Sequence, residues 1–205
     1  MTKKHASKSN HSPSSKQGEL RIIGGKWRGR KISFVAADGL RPSPSRIRET
    51  LFNWLNNDIS SSHCLDLFAG SGALGFEALS RGAGSVAMVE LNKLVTGQLK
   101  NNKELLQAQA LQIIHQDATE LQNLRGLLKH KIDIVFCDPP FNKQLVQPLL
   151  QALDNSGLLQ SSALIYVETE KNLIDLTLPL HWTPIKEKVA GDVRYRLIKV
   201  CEHLL

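Results

Sequence analysis

The chain has 205 residues, 41% of them hydrophobic, and carries 26 Lys and Arg against 19 Asp and Glu for a net charge of +7. That is enough apolar material for one core and one domain with a tail. The polar first twenty residues and the lack of any apolar run of about 18 residues exclude a secretory signal and a membrane span, so a cytoplasmic protein is expected. Cys64, Cys137 and Cys201 lack metal-ligand spacing and read as reduced, buried thiols, and the seven histidines are scattered, so no metal site is expected.

The positive charge is concentrated at one end. Residues 1–60 hold 12 Lys and Arg against 4 Asp and Glu, which leaves 14 against 15 for the remainder. Clustered cations neutralise phosphates and release counterions, so a polyanionic partner is expected, with a merely solubilising extension as the alternative. Residues 1–18 are rich in Ser, Lys and Asn and are expected to be a disordered basic tail. Residues 19–60 are expected to form an extension of hairpin and helix, and residues 61–205 the main domain. From Leu20 to Val35 the pattern predicts two short strands joined around Gly24 and Gly25. After the Arg41-Pro42 turn, Ser43 is read as a helix N-cap with Pro44 at the first helical position. Ile47, Leu51, Trp54 and Leu55 then form a buried stripe, with Arg46, Arg48 and Glu49 facing away from it.

From His63 onward, short apolar runs alternate with amphipathic stretches, which predicts βαβ units and a parallel sheet. Strands are expected near 63–67, 85–89, 111–115, 132–137 and 163–168, each followed by a helix-like segment. Residues 184–190 and 194–201 are strand-like and separated by Gly191-Asp192, which predicts an antiparallel hairpin ending the sheet. No internal repeat is visible.

The first of these strands runs into Asp66-Leu67-Phe68-Ala69-Gly70-Ser71-Gly72-Ala73-Leu74-Gly75. Gly70 and Gly72 let the backbone turn sharply and approach a ligand where a helix N-terminus presents free N–H groups. Gly70, Gly72 and Gly75 also satisfy a dinucleotide fingerprint, with Glu90 placed for a ribose, so an NAD(P) enzyme remains open at this point. Glu90, Asp117 and Asp138 follow successive strands and so share the carboxyl rim where ligands of open α/β sheets bind. Glu90 suits the two ribose hydroxyls of an adenosyl ligand, and Asp117, beside Ala118, suits its adenine amino group.

Asp138-Pro139-Pro140-Phe141 directly follows the apolar run Ile132–Cys137. Two prolines fix φ and supply no N–H, leaving a stiff, acceptor-rich turn. An exocyclic base amine is a poor nucleophile. Hydrogen bonds to the Asp138 carboxylate and the Pro139 carbonyl would orient it and favour the pyramidal geometry that attack on a methyl group needs. Phe141 offers a face on which an extruded base can stack. Cys137, in the strand before this turn, reads as buried packing rather than as a nucleophile for carbon methylation.

This combination resembles the amino-methylating class I methyltransferases, whose signature is [Asp/Asn/Ser]-Pro-Pro-[Tyr/Phe/Trp]. Arg41-Pro42, Arg46–Trp54, Leu65–Gly72 and Asp138–Phe141 resemble, more narrowly, the bacterial RsmD family over roughly residues 19–200. The sequence departs from that family at Ser43-Pro44-Ser45, where Thr and an acidic residue are usual. The resemblance implies a Rossmann-like α/β fold with a seven-stranded, mostly parallel sheet and an S-adenosylmethionine site at its rim. It also implies methylation of the N2 amine of a guanine in 16S ribosomal RNA. The partner would be that RNA within an assembled or partly assembled small subunit, met by a monomeric enzyme. On this reading Asp66, Gly70, Gly72, Glu90, Asp117 and Ala118 serve the cofactor, and Asp138, Pro139 and Phe141 the reaction. Arg21, Lys26, Arg28, Arg30, Lys31, Arg41, Arg46 and Arg48 would meet the RNA. A DNA amino-methyltransferase and a non-catalytic RNA-binding assembly protein are the other readings.

Overall fold

The computed structural model describes residues 17–35 and 42–201. Residues 1–16, and with them nearly all of the expected tail, and Arg41 lie outside it. Gln17 and Gly18 belong to β1 (Gln17–Arg21), which pairs antiparallel with β2 (Lys31–Val35). The hairpin is not closed by a tight turn at Gly24-Gly25. Residues 22–30 instead form a longer connection containing a 3-10 turn at Gly25–Trp27.

α1 (Ser45–Trp54) follows, then β3 (His63–Asp66), α2 (Ala73–Ser80), β4 (Ser85–Glu90), α3 (Lys93–Leu106) and β5 (Leu111–His115). β6 (Ile132–Cys137), α4 (Val146–Asn155), β7 (Leu159–Glu170), β8 (Trp182–Ala190) and β9 (Val193–Val200) complete the chain. The seven-stranded sheet has the order β5-β4-β3-β6-β7-β9-β8. β5, β4, β3, β6 and β7 run parallel, while β9 lies antiparallel to both β7 and β8. The expected C-terminal hairpin therefore closes one edge, turning at Gly191 with φ of 60°. Not every strand is followed by a helix. A 3-10 turn at Leu121–Leu124 replaces the one after β5, and residues 171–181 after β7 form neither helix nor strand. Arg196 stabilises that last segment by donating from Nη2 to the carbonyls of Leu173 and Ile174.

Side chains alternate across each strand, and both faces of the central strands are covered, which is why those strands read as continuous apolar runs. On one face Cys64, Met88, Phe136 and Tyr166 pack against α1, α2, α3 and the apolar side of the hairpin through Leu51, Phe52, Phe76, Leu99 and Trp27. On the other, Leu65, Val89, Val135, Ile165 and Val167 meet Leu149, Leu150 and Leu153 of α4 and Trp182. The hairpin and α1 thus share a core with the sheet.

Polar contacts fix the same junction. Glu77 of α2, with no solvent exposure, accepts from the backbone N–H groups of Ile23 and Gly24, each at 2.8 Å. Ser80 accepts from the N–H of Trp27, and Asn102 of α3 pairs with both backbone groups of Ser33 as a further strand would. The approach is close enough that a Cβ at Gly25 would lie 1.8 Å from the Ser80 carbonyl oxygen.

Arg48 is the main departure from the helical pattern. It is only 4% exposed, not on the outward face of α1. Its Nη1 lies 3.5 Å from Glu77 Oε2, and it donates to the backbone carbonyls of Ser43 and Arg21. The charge is tolerated in the interior because a partner on α2 compensates it. Cys64 and Cys137 are buried as expected, and burial pushes the Cys64 thiol up to about 12 and Cys137 higher still. Cys201, one residue beyond the end of β9, is exposed.

Candidate active site

Five neighbouring parallel strands each deliver an acid at or just beyond the carboxyl end. In sheet order these are Asp117 after β5, Glu90 on β4, Asp66 on β3, Asp138 after β6 and Glu168 on β7. β3 and β6 are the adjacent strands that continue into opposite flanks of the sheet, the crevice in which open α/β sheets take ligands.

The glycine turn is built on β3. The N–H of Leu67 donates to the Phe136 carbonyl, holding the chain beside β6 until it turns. Gly70 and Gly72 have φ of 48° and 76°, left-handed values that side chains disfavour, and Gly72 opens α2. A Cβ at Gly72 would also lie 2.7 Å from the Phe76 ring and 2.8 Å from Leu99. Gly75 serves packing: a Cβ there would come 2.4 Å from Met88, so it lets α2 lie close on β4.

Asp66 is 2% exposed and accepts from the Gly75 N–H at 3.2 Å, yet burial dominates and pushes its carboxyl up to about 7. Glu90 accepts from the N–H groups of Gly70 at 2.9 Å and Asn92 at 2.7 Å, so it braces the glycine turn from the next strand. Each carboxylate oxygen keeps lone-pair capacity for a further hydroxyl donor. Asp117 accepts through Oδ1 from the backbone and hydroxyl of Thr119, and these bonds hold its carboxyl below the usual range. Ala118 beside it is buried. A helix N-terminus, a glycine floor and acids from β4 and β5 are the groups here that could hold a cofactor. Among the described residues, no group of three or more His, Cys, Asp or Glu is arranged to hold a metal ion.

Asp138 sits two residues beyond Phe136, which pairs with Asp66. Pro139 is buried and Phe141 is 36% exposed. Beyond them Asn142 and Gln144 take positive φ values, and the Asn142 N–H is held by Glu170 of β7, which fixes the loop behind Phe141. Asp138 Oδ2 lies 3.1 Å from the Ser43 hydroxyl, and that hydroxyl is also 3.0 Å from Glu168 Oε1. The Tyr166 hydroxyl donates to the same Glu168 oxygen at 2.8 Å. Burial, and then the nearby Glu168 charge, raises the Asp138 carboxyl well above its ordinary value against the opposing pull of Ser43. Burial likewise raises Glu168.

Ser43 and Glu168 are the two members of this cluster that sequence reasoning missed. Ser43 does not cap α1: Pro44 occupies the N-cap position and no side chain caps the helix. Glu168 carried one usable signal, an acid directly after the apolar run Ala163–Val167.

The expected RNA contacts divide into several groups. Arg28 and Arg46 are exposed. Arg21 and Arg30 are exposed with the guanidinium on a backbone carbonyl, Gly29 at 2.7 Å and Leu105 at 2.8 Å. Lys31 pairs with Glu19, and the Lys26 ammonium stands 4.3 Å from the centre of the Trp27 ring. Arg48 belongs to the interior and acts as a strut. Arg21, Arg28, Phe34, Pro42 and Ser43 help to line an open cleft of about 730 Å³ between the hairpin and the start of α1. The cleft meets the acid rim at Ser43.

Residues 20–199 match the family model described as Conserved hypothetical protein 95. The Haemophilus influenzae protein named Ribosomal RNA small subunit methyltransferase D is 47% identical over 188 residues, covering 91% of this chain and 96% of that protein. The chain belongs to the RsmD family. A solved Escherichia coli structure named yhhF, 44% identical, superposes with a TM-score of 0.81 over 91% of this chain and all (100%) of that chain. The structure of SMU.776, complexed with SAH, is 17% identical and has a TM-score of 0.67 over 94% of this chain and 58% of that one, a likeness of fold alone. Within the RsmD family frame, the seven-stranded sheet with its terminal antiparallel hairpin is the class I methyltransferase fold.

Proposed function

We propose that the chain is an S-adenosylmethionine-dependent rRNA methyltransferase that methylates the N2 amine of a guanine in 16S ribosomal RNA. The observation that carries the reading is the rigid Asp138–Phe141 turn beside the Gly70–Gly72 turn, in a chain whose relatives bear the name of a small-subunit RNA methyltransferase. The SAH complex of a protein with the same fold supports the choice of cofactor.

The cofactor supplies an electrophilic methyl group; the protein supplies geometry and charge. Gly70, Gly72 and the first turn of α2 hold the ligand, with Glu90 for its ribose and Asp117 and Ala118 for its adenine. Asp66 braces the turn through Gly75. Asp138 and the Pro139 carbonyl accept from the target amine, which aims its lone pair at the methyl group, and Phe141 stacks on the base. Arg21, Lys26, Arg28, Arg30, Lys31, Arg41 and Arg46 serve the phosphates. The monomeric enzyme acts on the assembled or partly assembled subunit in the cytoplasm. No described helix is long and apolar enough to cross a membrane. The dinucleotide alternative loses its support, because the relatives are named as methyltransferases and the Pro-Pro turn has no part in hydride transfer.

The test is methyl transfer from radiolabelled S-adenosylmethionine to unmodified small subunits, naked ribosomal RNA and DNA, with nuclease digestion to identify the labelled nucleoside. N2-methylguanosine is the expected product. Label in DNA adenine or cytosine would move the chemistry to the DNA amino-methyltransferase reading. RNA binding without any label would leave an assembly protein.

A further inference from the structure

The Ser43 hydroxyl carries one hydrogen but lies within hydrogen-bonding distance of two carboxyl groups, Asp138 Oδ2 at 3.1 Å and Glu168 Oε1 at 3.0 Å. One hydroxyl hydrogen shared between two carboxylates would make two weak bonds and hold two like charges together, whereas a proton on one carboxyl group, donated to the Ser43 oxygen, makes both contacts full hydrogen bonds. Two arrangements satisfy this. In one the extra proton sits on Asp138 and Ser43 donates to Glu168; in the other it sits on Glu168 and Ser43 donates to Asp138. A concerted shift of two protons interconverts them: the Asp138 O–H bond breaks as a proton reaches Ser43 Oγ, and the Ser43 O–H bond breaks as its proton reaches Glu168 Oε1.

We propose that Ser43 and Glu168 are positioning residues that switch the charge on Asp138, taking its proton when a substrate amine arrives. The inference rests on the methyl-transfer reading above. An amine presenting two N–H donors stabilises the ionised form of Asp138 and drives the shared proton to Glu168, so two negative charges need not coexist in the cluster. When the N–C bond forms and the C–S bond breaks, the positive charge passes to nitrogen. Asp138, now a carboxylate, takes the amine proton, and that proton passes to water as the product leaves.

The groups facing this cluster are Asp66 from β3, Tyr166 from β7, Tyr195 from β9 and the Cys137 thiol of β6. Arg48 fixes the relay from α1 by donating to the Ser43 carbonyl at 3.2 Å. Tyr166 holds the Glu168 end by donating to the same Oε1 that faces Ser43. Ser43 belongs to the segment that precedes α1, so the N-terminal part of the chain contributes to the chemistry itself.

The experiment combines carbon-13 NMR titration of the Asp and Glu carboxyl groups in the protein without cofactor with the pH profile of kcat. In the parent protein, Asp138 and Glu168 are expected to titrate in two separated steps as a coupled pair. Glu168→Gln removes the neighbouring charge and should move the Asp138 titration to lower pH. Ser43→Ala removes the hydrogen bond that favours the carboxylate and should move it to higher pH. The acid limb of kcat should follow in both cases. Ser43→Ala should also lower kcat by roughly ten- to a hundredfold, the usual weight of one hydrogen bond to a charged group. Ser43→Thr should restore both readouts. An Asp138 titration that is unmoved, or that moves in the same direction in both variants, overturns the relay. Parent protein that transfers no methyl group to any RNA overturns the functional reading instead, and the titration still decides whether the proton is shared.

Discussion

Removing the carboxylate of Glu77 tests how the N-terminal segment is attached. Glu77→Ala strips the buried partner from Arg48, which is 4% exposed, and leaves the Ile23 and Gly24 N–H groups without an acceptor. Arg81, which reaches the same carboxylate at 2.8 Å, is 19% exposed and can turn to water. Losing one partner of a buried ion pair costs roughly 3–5 kcal/mol, and that figure already includes part of the penalty for unpaired donors. At about 2–4 °C per kcal/mol for a chain of this size, the midpoint of thermal unfolding should fall by roughly 6–20 °C. The assay is calorimetry with urea unfolding, on Glu77→Ala, on Arg48→Met and on the double variant. Because the cost arises from an uncompensated charge, the double variant should lose clearly less than the sum of the singles. A Glu77→Ala protein within about 1 kcal/mol of the parent, or strictly additive variants, would refute the assignment of this pair as the clamp.

Three further predictions concern the rim and the basic arm. Asp138→Ala should lower turnover at least about a hundredfold while calorimetry shows cofactor binding largely intact. The Asp66 carboxyl is raised from 3.8 to about 7, so the folded state binds more protons than the unfolded chain between these values. Its contribution is therefore present at low pH and is lost as the pH rises towards 7, and urea unfolding of the cofactor-free protein should show this slope, which Asp66→Asn abolishes. Arg28→Gln should weaken binding to ribosomal RNA and reduce the slope of log affinity against log salt by roughly 0.7–0.9, measured by filter binding across a salt series.

The sheet was legible because its central strands are covered on both sides. Runs such as Ile132–Cys137 have no polar face to disguise them, and the proline pair behind that run marks where the backbone must stop pairing. The Gly191 turn and the terminal hairpin were legible from local chemistry of the same kind. What stayed hidden depends on contacts between distant parts of the chain. Arg48 looks like a surface charge on a helical wheel, since only the placement of α2 supplies Glu77. Ser43 beside Pro44 reads as a cap, and its true partners are brought to it by strands β6 and β7. Helices after β5 and β7 were expected from amphipathic spacing, but the turn at Leu121–Leu124 and the arm held by Arg196 cover those places with less regular backbone.

α2 has eight residues, about 12 Å of rise, and both ends are occupied: Gly72 opens it, and Glu77 and Ser80 near its far end hold the hairpin. The helix is thus a short rod joining the Gly70–Gly72 turn to the basic hairpin. Ordering one end restricts the other, and thermodynamic reciprocity makes the influence run both ways. Saturation with S-adenosylmethionine should accordingly slow hydrogen exchange at the Ile23 and Gly24 amides, which Glu77 holds at the opposite end of α2 from Gly72. Unchanged exchange there would mean that the two ends respond independently.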